Sequence, residues 1–176
     1  MVTAMGNAAI HDGPFSLWLL PDATTELLLT SLIRTLAQKT GGLLFQPHIT
    51  VVSGSAPITE TMMGSLQKMN DELEAVHLQA KAVASGPTYF QSIFLTFRES
   101  RELQQLQRHC AETFDIARPF FPHLSLTYGE FSPERRETFC QSVALPDRPL
   151  GFDRLEFWAP DPAKGWKAIK SWRQLT

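Results

Sequence analysis

Apolar residues fall along this chain in short unbroken runs that alternate with stripes of helical period. Phe15-Ser16-Leu17-Trp18-Leu19-Leu20 is an apolar and aromatic run stopped by Pro21, and it reads as a buried strand. From Thr24 to Lys39, Leu28, Leu29, Leu32, Ile33 and Leu36 recur at helical spacing before the stop signal Gly41-Gly42. Leu43 to Val52 is the next strand, closed by Ser53-Gly54. Thr59 caps a helix whose Met62, Leu66, Met69, Leu73 and Val76 step by 4, 3, 4 and 3 along one face, the methionines serving as core filler. Leu78 to Ser85 and Ile93 to Phe97 are further strands, and a helix from Glu99 carries Leu103, Leu106, Cys110 and Phe114. His123 to Tyr128 is a strand, and Ser132 caps a helix that places Pro133 at its first position, where proline costs least. Leu150 to Trp158 and Trp166 to Leu175 close the chain as strands, the second of mixed periodicity. Residues 1–13, small and polar without a period, read as a flexible lead-in.

Strand, helix, strand, helix and strand thus occur twice, once before Gly86 and once after it. The repeat is visible residue by residue: Phe45-Gln46-Pro47-His48-Ile49-Thr50-Val51-Val52-Ser53-Gly54 aligns without a gap to Phe120-Phe121-Pro122-His123-Leu124-Ser125-Leu126-Thr127-Tyr128-Gly129. Side chains at i and i+2 of a strand share a face, so His48 projects with Thr50 and His123 with Ser125, while Ile49, Val51, Leu124 and Leu126 turn toward a core. Each half offers an imidazole beside a hydroxyl. A single His on a strand is ordinarily structural. Two copies in matched frames point to chemistry, because burying an imidazole and a hydroxyl twice is costly unless both are bonded.

Two imidazoles with an unperturbed pKa near 6.5 supply a base and an acid together near neutrality. Hydrolysis of a cyclic phosphodiester needs that pair on opposite sides of phosphorus, one to activate water and one to protonate the departing ribose oxygen. The Thr50 and Ser125 hydroxyls can donate to the non-bridging oxygens.

Composition narrows the setting. A chain of 176 residues with 43% hydrophobic content supports one packed domain, here expected as a two-lobed body over 14–176 with sequence halves of about 14–86 and 87–176. Sixteen Lys and Arg against 18 Asp and Glu give a charge of −2, which lacks the basic footprint of a partner for long nucleic acid. Cys110 and Cys140 lack metal or redox spacing and read as buried thiols of a reducing compartment, with a bridge between them left open. No targeting segment and no 18-residue apolar run is present, so a soluble cytoplasmic monomer with no membrane partner is expected. Without a Gly-rich phosphate loop or a His-Glu-x-x-His set, the expectation is no cofactor and no metal. Of the five histidines, His11, His77 and His109 read as surface residues.

The paired His-x-Thr/Ser motifs resemble the signature of the 2H phosphoesterase superfamily. The chain is most similar to its cyclic phosphodiesterase branch through Phe15-Ser16-Leu17-Trp18 with Pro21, Tyr89-Phe90-Gln91-Ser92-Ile93-Phe94-Leu95, His123 to Gly129, and Ser171-Trp172-Arg173. The resemblance implies a bilobal, duplicated α+β fold in which two antiparallel-rich sheets line a central cleft with helices outside. It also implies metal-independent hydrolysis of ADP-ribose 1″,2″-cyclic phosphate and nucleoside 2′,3′-cyclic phosphates, chemistry tied to tRNA splicing. Catalysis would fall to His48, Thr50, His123 and Ser125, with His123 as base and His48 as acid. Tyr128, Tyr89 and Trp172 are the expected substrate-binding residues. By strand parity Tyr128 faces away from His123, and it reaches the cleft only if the strand twists or ends before Gly129. A 2H enzyme acting on RNA ends, or related to 2′,5′-RNA ligases, and a non-catalytic nucleotide-binding module are the competing readings.

Overall fold

A computed structural model of the chain describes residues 8–117 and 119–175. Arg118 lies outside the described residues. The strands are β1 (Ala9–His11), β2 (Pro14–Pro21), β3 (Ile49–Ser55), β4 (Ile58–Thr59), β5 (Val76–Leu78), β6 (Ala80–Ser85), β7 (Ile93–Phe97), β8 (His123–Thr127), β9 (Leu150–Ala159) and β10 (Arg173–Gln174). The helices are α1 (Ala23–Thr40), α2 (Glu60–Glu72), α3 (Arg101–Thr113) and α4 (Pro133–Gln141).

Capping chemistry sets the helix starts. The Asp22 carboxylate accepts from the Thr25 N–H at 2.7 Å, Thr59 from Met62, Ser100 from Leu103 and Ser132 from Arg135, with Pro133 in the first turn. α1 ends at Gly41, whose φ of 69° is the left-handed conformation that glycine adopts without penalty. Leu29, Ile33 and Leu36 of α1 are fully buried on the stripe the sequence predicts.

Eight strands form one antiparallel sheet in the order β10-β9-β2-β3-β8-β7-β6, with β5 also paired to β9. Two half-sheets meet in it through a single residue pair, Ile49 opposite Leu124. The two expected sheets are therefore two wings of one sheet. The sequence halves also exchange strands: β9 of the second half pairs with β2 of the first, while β6 of the first pairs with β7 of the second. Helices cross over as well, α1 packing on β8 and α3 on β3. Phe15, Leu17, Leu19, Ile49, Leu124, Leu126, Leu155 and Phe157 are buried on the helix side. Removing one such side chain costs about 2–5 kcal/mol through lost transfer energy and the cavity left behind.

Four expectations need correction. The lead-in is ordered over its last residues, because β1 pairs with β4 and His11 is buried with Nε2 at 3.0 Å from the Pro14 carbonyl. Residues 43–48 are irregular, so the strand there starts only at Ile49, after Pro47, which has no N–H to give a ladder. Val76 opens β5 rather than closing α2, since β9 captures it opposite Phe152. The final strand is just Arg173–Gln174, preceded by a 3-10 turn at Ile169–Ser171. His77 and His109 are exposed as expected, and both cysteines are free thiols.

Candidate active site

The two His motifs share a backbone device that the sequence alignment alone does not display. Along β2 and β3, Leu17 opposes Val52 and Trp18 opposes Thr50, so Val51 is an extra, bulged residue. Along β7 and β8, Phe94 opposes Ser125 and Ile93 opposes Thr127, which makes Leu126 the extra residue. Val51 and Leu126 are the same position of the repeat. Each bulge resets the alternation of faces, so Ser53 and Tyr128, also equivalent in the repeat, both come round to the face of the imidazoles. Tyr128 thereby reaches the cleft despite its parity.

The side chains of His48, Thr50, His123 and Ser125 line one cavity of about 390 Å³, at the lower end of small-molecule sites. His48 Nδ1 lies 2.7 Å from the Gln46 carbonyl, and His123 Nδ1 lies 2.8 Å from the Phe121 carbonyl. A carbonyl only accepts, so Nδ1 carries hydrogen in both rings and each Nε2 is left for chemistry. The proline between carbonyl and histidine fixes the chain there and offers no N–H of its own. That is the use to which the matched x-Pro-His spelling is put.

Around this matched frame the two environments differ. The His48 ring stacks on Trp18 at 3.6 Å between centroids and 7° between planes, and Trp18 also stacks against Trp158 at 4.6 Å and Trp172 at 5.4 Å. The His48 pKa is lowered to about 4, by burial first and also by the charge of His123, against the opposing pull of the Gln46 hydrogen bond. His123 is flanked by Phe121 and Phe94 at 5.3 Å each. Burial lowers its pKa too, against the Phe121 hydrogen bond. Ser125 donates to the Phe90 carbonyl at 2.9 Å and lies in hydrogen-bonding contact with the Tyr128 hydroxyl, whose own pKa burial pushes far above the usual range.

Trp172 lines the cavity, as expected, together with Trp166 and Ile169 from the segment before β10. Tyr89 does not line it. Its ring lies parallel to Tyr128 at 6.1 Å and under the Lys167 ammonium, so it backs the wall that Tyr128 forms. Sequence reasoning missed Ser16, which is hydrogen-bonded to Ser53 at 2.8 Å, and Thr88 and Gln91 in the loop before β7. It also missed Glu156, which accepts from the Trp158 indole N–H at 3.0 Å and from Arg154 at 3.2 Å, and so fixes the ring behind Trp18. Period-2 patterning of β9 was the signal for Glu156: Leu155 and Phe157 are core, so Glu156 and Trp158 fall on the other face, which Glu156 shares with its cross-strand partner Trp18.

A family model described as cyclic phosphodiesterase-like protein matches residues 14–169. The chain belongs to that family, within the 2H phosphoesterases. It is also similar to a protein named cyclic phosphodiesterase from Arabidopsis thaliana, at 29% identity over 145 residues that cover 81% of this chain and 79% of the relative. Family membership supports hydrolysis of cyclic phosphodiesters as the general activity. Among the described residues, no helix is long and apolar enough to cross a membrane.

Proposed function

We propose that the protein hydrolyses ADP-ribose 1″,2″-cyclic phosphate to ADP-ribose 1″-phosphate, and nucleoside 2′,3′-cyclic phosphates to 2′-phosphates, by acid–base catalysis between His48 and His123. The observation that carries this reading is the pair of imidazoles in one cavity, each fixed through Nδ1 to the carbonyl two residues before it. In the neutral ring Nε2 holds a lone pair able to take a proton from water. In the charged ring the same atom gives a proton to the ribose oxygen that leaves phosphorus. Thr50 faces the non-bridging oxygens. Ser125 can serve there only after its hydrogen rotates away from Phe90, and the adjacent Tyr128 hydroxyl is a second donor. Protons and charge are handled by these side chains alone, so the reaction is proposed to proceed without a metal.

The environments favour His48 as base and His123 as acid, the reverse of what the resemblance implies. A bound phosphodiester anion raises both pKa values, and the His48 ring, stacked flat on Trp18 and the more enclosed of the two, is the costlier to charge, so His123 takes up the proton first. The decisive assay presents both substrates with EDTA and reads the products by phosphorus NMR. Opening to the 1″- and 2′-phosphates is the expected result. No turnover, or activity only with added metal, would refute the reading. The proposed setting is the cytoplasm, downstream of a step that forms cyclic phosphates, such as tRNA splicing.

A further inference from the structure

The reacting centre opens in two directions. The cavity already described runs from the imidazoles toward Trp166 and Trp172, while a second cavity of about 230 Å³ shares Thr50, Ser53, Gln91 and His123 with it. The two hollows therefore meet at the catalytic groups. The second is walled by Gln107 of α3 and by Phe120 and Phe121.

Phe121 is 52% exposed, yet its ring is held in place. His123 lies near-parallel to it at 25° with 5.3 Å between centroids, and Phe94 meets it edge-on at 5.8 Å. A fixed aromatic ring exposed at the lip of a hollow loses little freedom when a ligand stacks on it. Among the described lining residues of the second cavity, His123 is the only titratable group. The remaining polar edges include the Gln91 and Gln107 amides. A volume of about 230 Å³ is below the size of a whole-ligand site and suits one ring system. Flat, neutral and edged with donors and acceptors describes a nucleobase.

We propose that this second cavity is a subsite for a nucleobase joined through phosphate to the 5′ side of the ribose that carries the cyclic phosphate. Phe121 is its stacking platform, and Gln91 and Gln107 meet its edges. The inference rests on the cyclic phosphodiesterase reading and narrows it: substrates that carry a base joined through phosphate on the 5′ side of the reacting ribose are preferred over those that lack one. The adenine of ADP-ribose 1″,2″-cyclic phosphate and the penultimate base of an RNA end share this chemistry.

The test compares kcat/KM for ADP-ribose 1″,2″-cyclic phosphate, a uridine dinucleotide ending in 2′,3′-cyclic phosphate, and uridine 2′,3′-cyclic phosphate. Preference for either substrate with a base on the 5′ side of the reacting ribose is expected, and which of the two is preferred identifies the source of the base. Phe121→Ala should reduce that preference about tenfold, Phe121→Trp should restore it, and Gln107→Ala should reduce it less. A preference ratio unmoved by Phe121→Ala, or equal wild-type use of substrates with and without a base on the 5′ side, overturns the subsite. Should wild type open none of the three, the activity reading fails separately. Calorimetry then decides the subsite by comparing binding of the dinucleotide 2′-phosphate and uridine 2′-phosphate, and equal affinities reject it.

Discussion

His48 and His123 are the same residue in the repeat and different residues in their surroundings. Both stand at the start of a strand bulged at the same position, and both give Nδ1 to the carbonyl two residues back. One lies flat against Trp18 in an indole stack. The other shares its flanks with Phe121 and Phe94 and sits beside a serine already bonded to backbone. Backbone symmetry places two equivalent nitrogens in one cavity, and the aromatic shell makes them chemically unequal. A reaction that needs an acid and a base at once uses both properties.

The sharpest way to break the comparison is to remove each imidazole. His48→Ala and His123→Ala are each expected to lower kcat about 10³-fold, within the range of lost acid–base catalysis, with Thr50→Ala and Ser125→Ala milder. A substrate whose leaving oxygen is replaced by sulfur needs no proton on departure, so it should rescue His123→Ala and leave His48→Ala slow. Rescue of His48→Ala instead would exchange the two roles.

Next in size is the effect of the indole stack. Trp18→Ala admits water to the His48 ring and should move its pKa from about 4 toward 6.5. An NMR titration of the His48 Cε1 proton reads this directly, and the acidic limb of the kcat/KM profile should move up in pH with it. An unmoved titration would mean that Trp18 does not desolvate the ring.

The smallest expected effect is on stability. The folded-state pKa of His48 lies below the unfolded value, so the unfolded chain binds the extra proton and stability falls as pH drops from 6.5 through about 4. The loss should reach at most about 3 kcal/mol. Urea unfolding of wild type and His48→Gln at a series of pH values isolates it: the difference between the two should change across that window and be flat above it.

The frame of the candidate site, four side chains lining one cavity, was legible because its signal is local: a matched spelling in two places, with period-2 alternation fixing which residues share a face. Ser53 and Tyr128 escaped that logic, since a bulge reverses parity and leaves no mark in composition. Strand exchange between the halves was equally hidden. Nothing within Leu150–Ala159 states that it pairs with Pro14–Pro21, a choice made by long-range packing. There Gly151 accommodates the close approach of Asp22, where a side chain would collide with the carboxylate that caps α1. The burial of His11 was missed for the same reason, because its partners lie in β4 and the turn into β2.

Ile49 and Leu124, the one ladder pair between the two wings, each directly follow one of the two proposed catalytic histidines. The seam is thus the pivot of a pair of calipers, with the imidazoles set beside the pin. Any rotation of one wing against the other is read first as a change in the gap between the two Nε2 atoms. On the proposed mechanism, the gap that spans phosphorus and its two apical oxygens depends on the packing around that rung and on the helices laid across it.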